Sequence, residues 1–120
     1  MPQTLVKLTR TLAGAALALT LGAAPALGGD EAQVRRGRDV YTAQKCQMCH
    51  LIAGKGNKMN PLDGVGTKLS AADTKAWIVT PAEMTAKTKS TKKPPMPAKY
   101  DKLPAADIDA LVAYLQSLKK

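Results

Sequence analysis

Apolar residues recur at helical spacing in several stretches of the chain, and nowhere do they alternate as in a half-buried strand. The clearest stripe lies in residues 104–120, where Pro104 suits the first turn of a helix. The stripe consists of Ile108, Leu111, Val112, Leu115 and Leu118. A second helix is predicted over residues 30–45, capped by Asp30 and with Val34, Gly37, Val40 and Tyr41 along one face. The pattern therefore predicts an all-α domain.

Shorter helices are predicted between these two. Ser70–Asp73 forms a capping box that opens a helix carrying Trp77, and this helix ends before Pro81. Thr80–Glu83 is a second capping box, and it opens a short helix through about Lys87. Residues 51–68 contain four glycines and no periodicity, so they are predicted to be a loop without helix or strand.

The glycine in the first helix costs about 1 kcal/mol relative to alanine. Gly37 therefore marks either a close approach by another helix or a glycine tolerated in a short helix. Tyr114, which flanks the last apolar stripe, could meet Gly37 and Tyr41.

Residues 1–28 have the parts of a secretory signal peptide. Lys7 and Arg10 precede an apolar run rich in Ala, Leu and Gly, and cleavage is predicted after Gly28. The alternative is an uncleaved membrane anchor, because the run is near the lower length limit for a bilayer span. We expect residues 29–120 to form an exported, periplasmic domain. This domain would be held at a membrane only if residues 1–28 are not cleaved.

The chemistry of the chain centres on Cys46-Gln47-Met48-Cys49-His50. Two cysteines two residues apart, followed at once by histidine, have the spacing of covalent haem attachment. The chain has no other Cys or His, so a four-ligand zinc site is excluded. A thioredoxin-like pair would need alternating strands and helices, and a short disulfide would leave His50 unexplained. We therefore predict haem c bound through Cys46 and Cys49, with His50 on the iron.

Further haem contacts are predicted downstream of this motif. Leu62 of the Pro61-containing loop could lie against the ring, and the carbonyl of Asn60 or Pro61 could accept from the second nitrogen of His50. Trp77 is either a core residue or a core residue whose indole also binds a haem propionate. A domain this small, with no Phe and one Trp, has little aromatic mass for a core. We therefore expect the haem-free protein to be largely unfolded.

Met96 is the predicted second iron ligand, because Pro94, Pro95 and Pro97 restrict the backbone around it. A thioether is a soft sixth ligand suited to low-spin electron transfer. The alternative for a methionine is gap-filling in a core.

In these features the chain resembles a class I c-type cytochrome. The residues that carry the resemblance are the Cys46–His50 motif, Pro61–Gly66, Trp77, Met96-Pro97 and the helix of Ile108–Leu118. The resemblance implies a compact fold of three to five short helices around one haem, with the first and last helices crossing at Gly37. Pro61 and Leu62 are adjacent here, whereas the family usually has a residue between them.

The resemblance further implies a one-electron carrier rather than an enzyme, because His50 and Met96 would leave no open position on iron. The alternatives are a haem subunit of a larger oxidoreductase complex, and a gas sensor or peroxidase in which Met96 is displaced. Absorption of the oxidised protein and carbon monoxide binding would separate the last of these from a carrier.

The positive charge of the chain bears on its partners. Lys7 and Arg10 account for two of the nine net positive charges, which leaves +7 for residues 29–120. Lysines concentrate around Met96, either as an ordinary solvated surface or as a ring that steers acidic redox proteins. They are Lys87, Lys89, Lys92, Lys93, Lys99 and Lys102. Nucleic acid is not expected for an exported chain so poor in aromatics, and we expect a monomer.

Overall fold

The computed structural model describes Gly14 and residues 31–120, so the signal peptide prediction and the Asp30 cap lie outside the described part. Within the described residues the fold is mostly helical, with five helices, which confirms the all-α prediction. They are α1 (Glu31–Ala43), α2 (Val65–Lys68), α3 (Ala71–Val79), α4 (Pro81–Thr88) and α5 (Ala105–Ser117). Single 3-10 turns cover Cys46–Met48 and Tyr100–Lys102.

Helices α1 and α5 cross in direct backbone contact. A Cβ atom at Gly37 would overlap the carbonyl oxygen of Ala110 and the Cβ of Tyr114. Tyr41 and Tyr114 pack edge to face beside this point, with ring centroids 5.7 Å apart and planes at 68°. The prediction that Tyr114 meets Gly37 and Tyr41 is confirmed, and close packing is the reason for a glycine inside α1.

The core lies along the inner face of α5, where α1, α2 and α3 cover it. Its buried residues are Tyr41, Val65, Ile78, Leu111, Tyr114 and Leu115. Gly66 in α2 lies so close to α5 that a Cβ atom there would overlap the carbonyl oxygen of Gln116. The nitrogen of Gly66 donates to Leu118 O at 3.0 Å, so the end of α5 is tied to the middle of the chain.

The prediction of a loop without helix or strand in residues 51–68 is wrong in part. Strands β1 (Leu51–Ile52) and β2 (Lys55–Gly56) form an antiparallel hairpin, and Val65–Lys68 is one turn of helix. Ala53 and Gly54 have φ values of 50° and 77°, as the two-residue turn of a hairpin requires. Strands of two residues are too short to show alternation, so periodicity could not reveal them.

The two predicted capping boxes have different outcomes. Ser70 Oγ accepts from the nitrogen of Asp73 at 3.0 Å, as predicted for the start of α3. The box at Thr80 is wrong, because its hydroxyl donates to Ala76 O at 3.1 Å and so completes the end of α3. The predicted short helix itself is confirmed, because α4 has Pro81 at its start and ends at Thr88, one residue past the predicted Lys87.

Helix α5 begins at Ala105, one residue later than predicted, with Pro104 directly before its first turn, and it ends at Ser117, three residues before Lys120. Within the described residues, no helix combines the length and the apolar character needed to cross a membrane.

Candidate functional site

The cysteine motif forms a tight turn that follows α1 directly. Lys45 has a left-handed backbone at φ 56°, which ends the helical path and starts the 3-10 turn. The nitrogens of Cys49 and His50 both donate to Cys46 O, at 3.1 and 3.0 Å. The Cys46 thiol is half-buried, and burial raises its pKa to about 11, whereas Cys49 is exposed. The two cysteines are not joined in a disulfide.

The His50 ring is oriented by a single backbone contact. Its Nδ1 lies 3.1 Å from Asn60 O, and because a carbonyl can only accept, Nδ1 carries the proton and donates. The other nitrogen, Nε2, therefore keeps its lone pair for a metal. Burial lowers the pKa of His50, which favours the neutral imidazole that binds iron. Of the two predicted acceptors, Asn60 rather than Pro61 makes the contact.

Backbone bonds hold the acceptor loop against the hairpin. Leu51 N donates to Asn60 O at 3.2 Å, and Leu62 N donates to Leu51 O at 2.8 Å. The Asp63 carboxylate accepts from Ala53 N at 2.9 Å, which fixes the hairpin turn to the same loop. The hairpin missed in the sequence is therefore part of what orients His50.

A cavity of about 530 Å³ opens beside this turn. Its walls come from the motif, the 60–62 loop, α3 and the segment of residues 90–100. All the residues predicted to contact haem line it: Cys46, Cys49, His50, Pro61, Leu62, Trp77 and Met96. The volume lies in the range of cofactor sites, and thiols, imidazole and thioether are the donor types that hold haem. The residues present therefore fit a haem c.

Met96 and Trp77 line this cavity from different elements. Met96 is half-buried and lies in residues 89–99, which form neither helix nor strand. Trp77 is half-buried on α3 and lies outside the buried core cluster, so the structure places it on the cavity wall rather than in the core proper.

One polar pair at the site was not predicted from the sequence. Thr74 is 2% exposed and lines the cavity from α3. Its Oγ1 accepts from Gln116 Nε2 at 2.9 Å, and the same amide group donates to Leu69 O at 3.0 Å. Thr74 lies three residues before Trp77 and four before Ile78. Helical spacing alone could therefore have placed it on the same face of α3 as these two residues.

Lysines stand at the mouth of the cavity. Lys45, Lys92 and Lys99 are exposed and contribute to its lining. Of the six lysines singled out around Met96, two are therefore at the cavity itself. Lys87 instead lies 3.9 Å from an Asp73 carboxylate oxygen, where it joins α4 to α3 at the surface.

Comparison with known families agrees with this geometry. The Cytochrome c family model matches residues 34–119, from the first turn of α1 to the penultimate residue. No curated protein and no solved structure matches the chain. Because the family match covers well over half of the sequence and includes both cysteines, the chain belongs to the cytochrome c family, whose haem c is covalently bound and transfers electrons.

Proposed function

We propose that this protein is a periplasmic one-electron carrier whose haem iron is held by His50 and Met96. The observation that carries the proposal is the cavity lined by both cysteines, the oriented His50 ring and the Met96 thioether. When bound, haem supplies a one-electron couple between ferrous and ferric iron. With His50 and Met96 both holding the iron, the site would favour electron transfer over catalysis at the iron.

The chain's own residues give this cofactor its properties. Each cysteine thiol can add across one vinyl group, with the sulfur bonding to carbon and the proton moving to the neighbouring carbon. The Asn60 carbonyl fixes the tautomer of His50 and makes the ring more basic. A Met96 sulfur bound to the iron would favour the ferrous form and raise the reduction potential. Leu62, Val65 and Ile78 line the interior with apolar groups that exclude water.

A comparison of methionine variants tests the ligand assignment. Met96→Leu keeps the apolar volume but removes the sulfur, so the potential should fall by on the order of 0.1 V. The absorption band of sulfur bound to ferric iron should disappear at the same time. Met59→Leu is the matched control, because Met59 is 59% exposed and does not line the cavity. Identical potentials for the two variants would refute the assignment.

We further propose that the lysines at the cavity mouth steer acidic redox proteins to the haem. Residues 29–120 carry a formal charge of +7, and Lys45, Lys92 and Lys99 line the opening. Attraction of this kind acts mainly on association rates and weakens with salt.

Reduction of the ferric protein by anionic hexacyanoferrate(II) measures this effect without a known partner. Lys99→Gln should lower the rate at low ionic strength by about 2-fold and flatten its salt dependence. Lys68→Gln, at the exposed end of α2 and outside the cavity lining, is the control. Equal rates for the two variants at low salt would leave the lysines as an ordinary solvated surface.

A haem sensor or peroxidase is the second candidate, because few hydrogen bonds join the segment that carries Met96 to the rest of the described protein. Carbon monoxide binding to the ferrous protein separates the two functions. A sensor with displaceable Met96 should bind it rapidly, whereas a carrier should bind it slowly or not at all.

A further inference from the structure

The Met96 segment, residues 89–99, depends on very few hydrogen bonds. Its backbone bonds within the described chain are those at its start, where Lys89 N donates to Ala86 O at 3.3 Å and Ser90 N to Thr85 O at 3.1 Å. The nitrogen of Lys92 makes a long 3.4 Å contact with Ser90 Oγ. Each of these bonds either joins the start of the segment to the adjoining α4 or stays within the segment, so none of them fixes Met96 relative to the opposite wall of the cavity.

A single hydrogen bond joins this segment to the opposite side of the site in the described residues. The Lys92 ammonium donates to the backbone carbonyl of Met59 at 3.2 Å, across 33 positions of sequence. Lys92 lines the cavity. A charged donor makes a stronger hydrogen bond than a neutral one. The lysine therefore spans the mouth of the cavity from the Met96 side to the His50 side.

The acceptor end of this bond is firmly held. Met59 N donates to Asn57 Oδ1 at 2.9 Å, and Asn57 Nδ2 donates to Met48 O at 3.1 Å. The backbone nitrogen of Asn57 lies within hydrogen-bond distance of two carbonyls, Gln47 O at 3.1 Å and His50 O at 3.0 Å. The Met59 carbonyl is thus fixed to the turn that carries both cysteines and the histidine.

We propose that Lys92 is a positioning residue that straps the Met96 segment across the cavity and keeps the Met96 sulfur at the iron. The inference rests on the proposed assignment of Met96 as a ligand. Without the strap, the proline-rich segment keeps its local shape but gains freedom to move away from the opposite wall. Lys92 therefore controls how readily Met96 is displaced by another ligand.

Lys92→Ala and Lys93→Ala in the full haem-loaded protein form a matched pair. Both variants remove one exposed lysine charge from the same segment, but Lys93 makes no hydrogen bond to another part of the described chain. The measured quantity is the rate at which imidazole replaces Met96 on ferric iron, followed by the fading of the sulfur-to-iron band. Lys92→Ala should react about 5-fold faster than the wild type, as expected for the loss of one net hydrogen bond.

Lys93→Ala should react at the wild-type rate, and Lys92→Arg should restore most of the protection because it keeps a charged donor. Equal acceleration in both alanine variants would overturn the proposal, since it would show an effect of charge alone.

Backbone order parameters from NMR relaxation of the ferrous protein provide a readout that does not depend on the sulfur-to-iron band. In Lys92→Ala the order parameters of the N–H groups of Met96, Ala98 and Lys99 should fall, while those of α5 should be unchanged. If the wild-type ferric protein lacked the sulfur-to-iron band, the Met96 assignment would fail, and the order parameters would still show whether Lys92 restrains the segment. Unchanged order parameters at these three residues would refute the strap.

Discussion

The crossing of α1 and α5 and the Met96 segment are held together in opposite ways. At the crossing, backbone meets backbone at Gly37 and Ala110, and two buried tyrosines pack 5.7 Å apart. The Met96 segment is mostly exposed, lacks regular structure and reaches across the cavity through one lysine. The fold is therefore fixed where close packing leaves no freedom, and the second ligand lies where a few polar contacts can tune its mobility.

Removing the haem should reduce stability more than any of the substitutions below. It tests whether the crossing of α1 and α5 can form without the cofactor. A Cys46→Ala/Cys49→Ala variant without attached haem has only a small buried core. We expect it to be largely unfolded, with weak helical circular dichroism and no cooperative thermal transition. A cooperative native state in this variant would show that the crossing is sufficient by itself.

Gly37→Ala should cause a large loss of stability, larger than that of Gly54→Ala, Gln116→Leu or Tyr41→Phe. The new methyl group would overlap backbone atoms of α5, which cannot move aside as a flexible side chain could. The free energy of unfolding should fall by about 3 kcal/mol or more in chemical denaturation.

Gly54→Ala is the control for this substitution. Apart from its two chain neighbours, no residue of the described chain has an atom within 4 Å of the place that a Cβ atom would take at Gly54, although its φ of 77° disfavours alanine. It should therefore cost only about 1 kcal/mol. Equal losses at the two positions would show that close approach is not what Gly37 provides.

Gln116→Leu should cause an intermediate loss of stability, because Gln116 hydrogen-bonds to residues that line the cavity. It removes the donor shared by Leu69 O and Thr74 Oγ1, and we expect a loss of about 1–2 kcal/mol. In a double-mutant cycle, Thr74→Val should cost less when Gln116 is already leucine. Strictly additive losses would contradict the coupling.

Tyr41→Phe should have the smallest effect on stability at neutral pH. The buried phenolic oxygen has no hydrogen-bond partner in the described protein, so its loss should change the free energy of unfolding by at most about 1 kcal/mol. Burial raises the pKa of Tyr41 above its usual 10, so the folded state loses stability as pH rises above about 10. The phenylalanine variant should lose less stability there, and parallel pH profiles would contradict this explanation.

The sequence predicted the parts of the fold that depend on long periodic stretches or a specific spacing. The stripe in α5, the glycine and tyrosine in α1 and the cysteine motif each carry their signal within a few neighbouring residues. The hairpin at Leu51–Gly56 was missed because its strands are two residues long. Thr80 was misassigned because a hydroxyl between two helices can hydrogen-bond to the backbone of either the following or the preceding helix. The sequence does not show which of the two it does.

The polar contacts across the site could not be predicted for a different reason. Thr74 and Gln116 are 42 positions apart, and Lys92 and Met59 are 33 positions apart. Neither pair has a pattern within its own segment, so only the folded backbone brings the partners together. By contrast, the sequence alone limited the hydrogen-bond acceptor of His50 to the carbonyl of Asn60 or Pro61. The geometry of the folded loop shows that it is Asn60.

The most direct test of the proposed electron carrier is the absorption spectrum of the purified wild-type protein in both oxidation states. We predict a sulfur-to-iron band in the ferric form, its loss in Met96→Leu, and little carbon monoxide binding in the ferrous form. A ferric protein without that band, combined with rapid carbon monoxide binding, would contradict ligation by His50 and Met96.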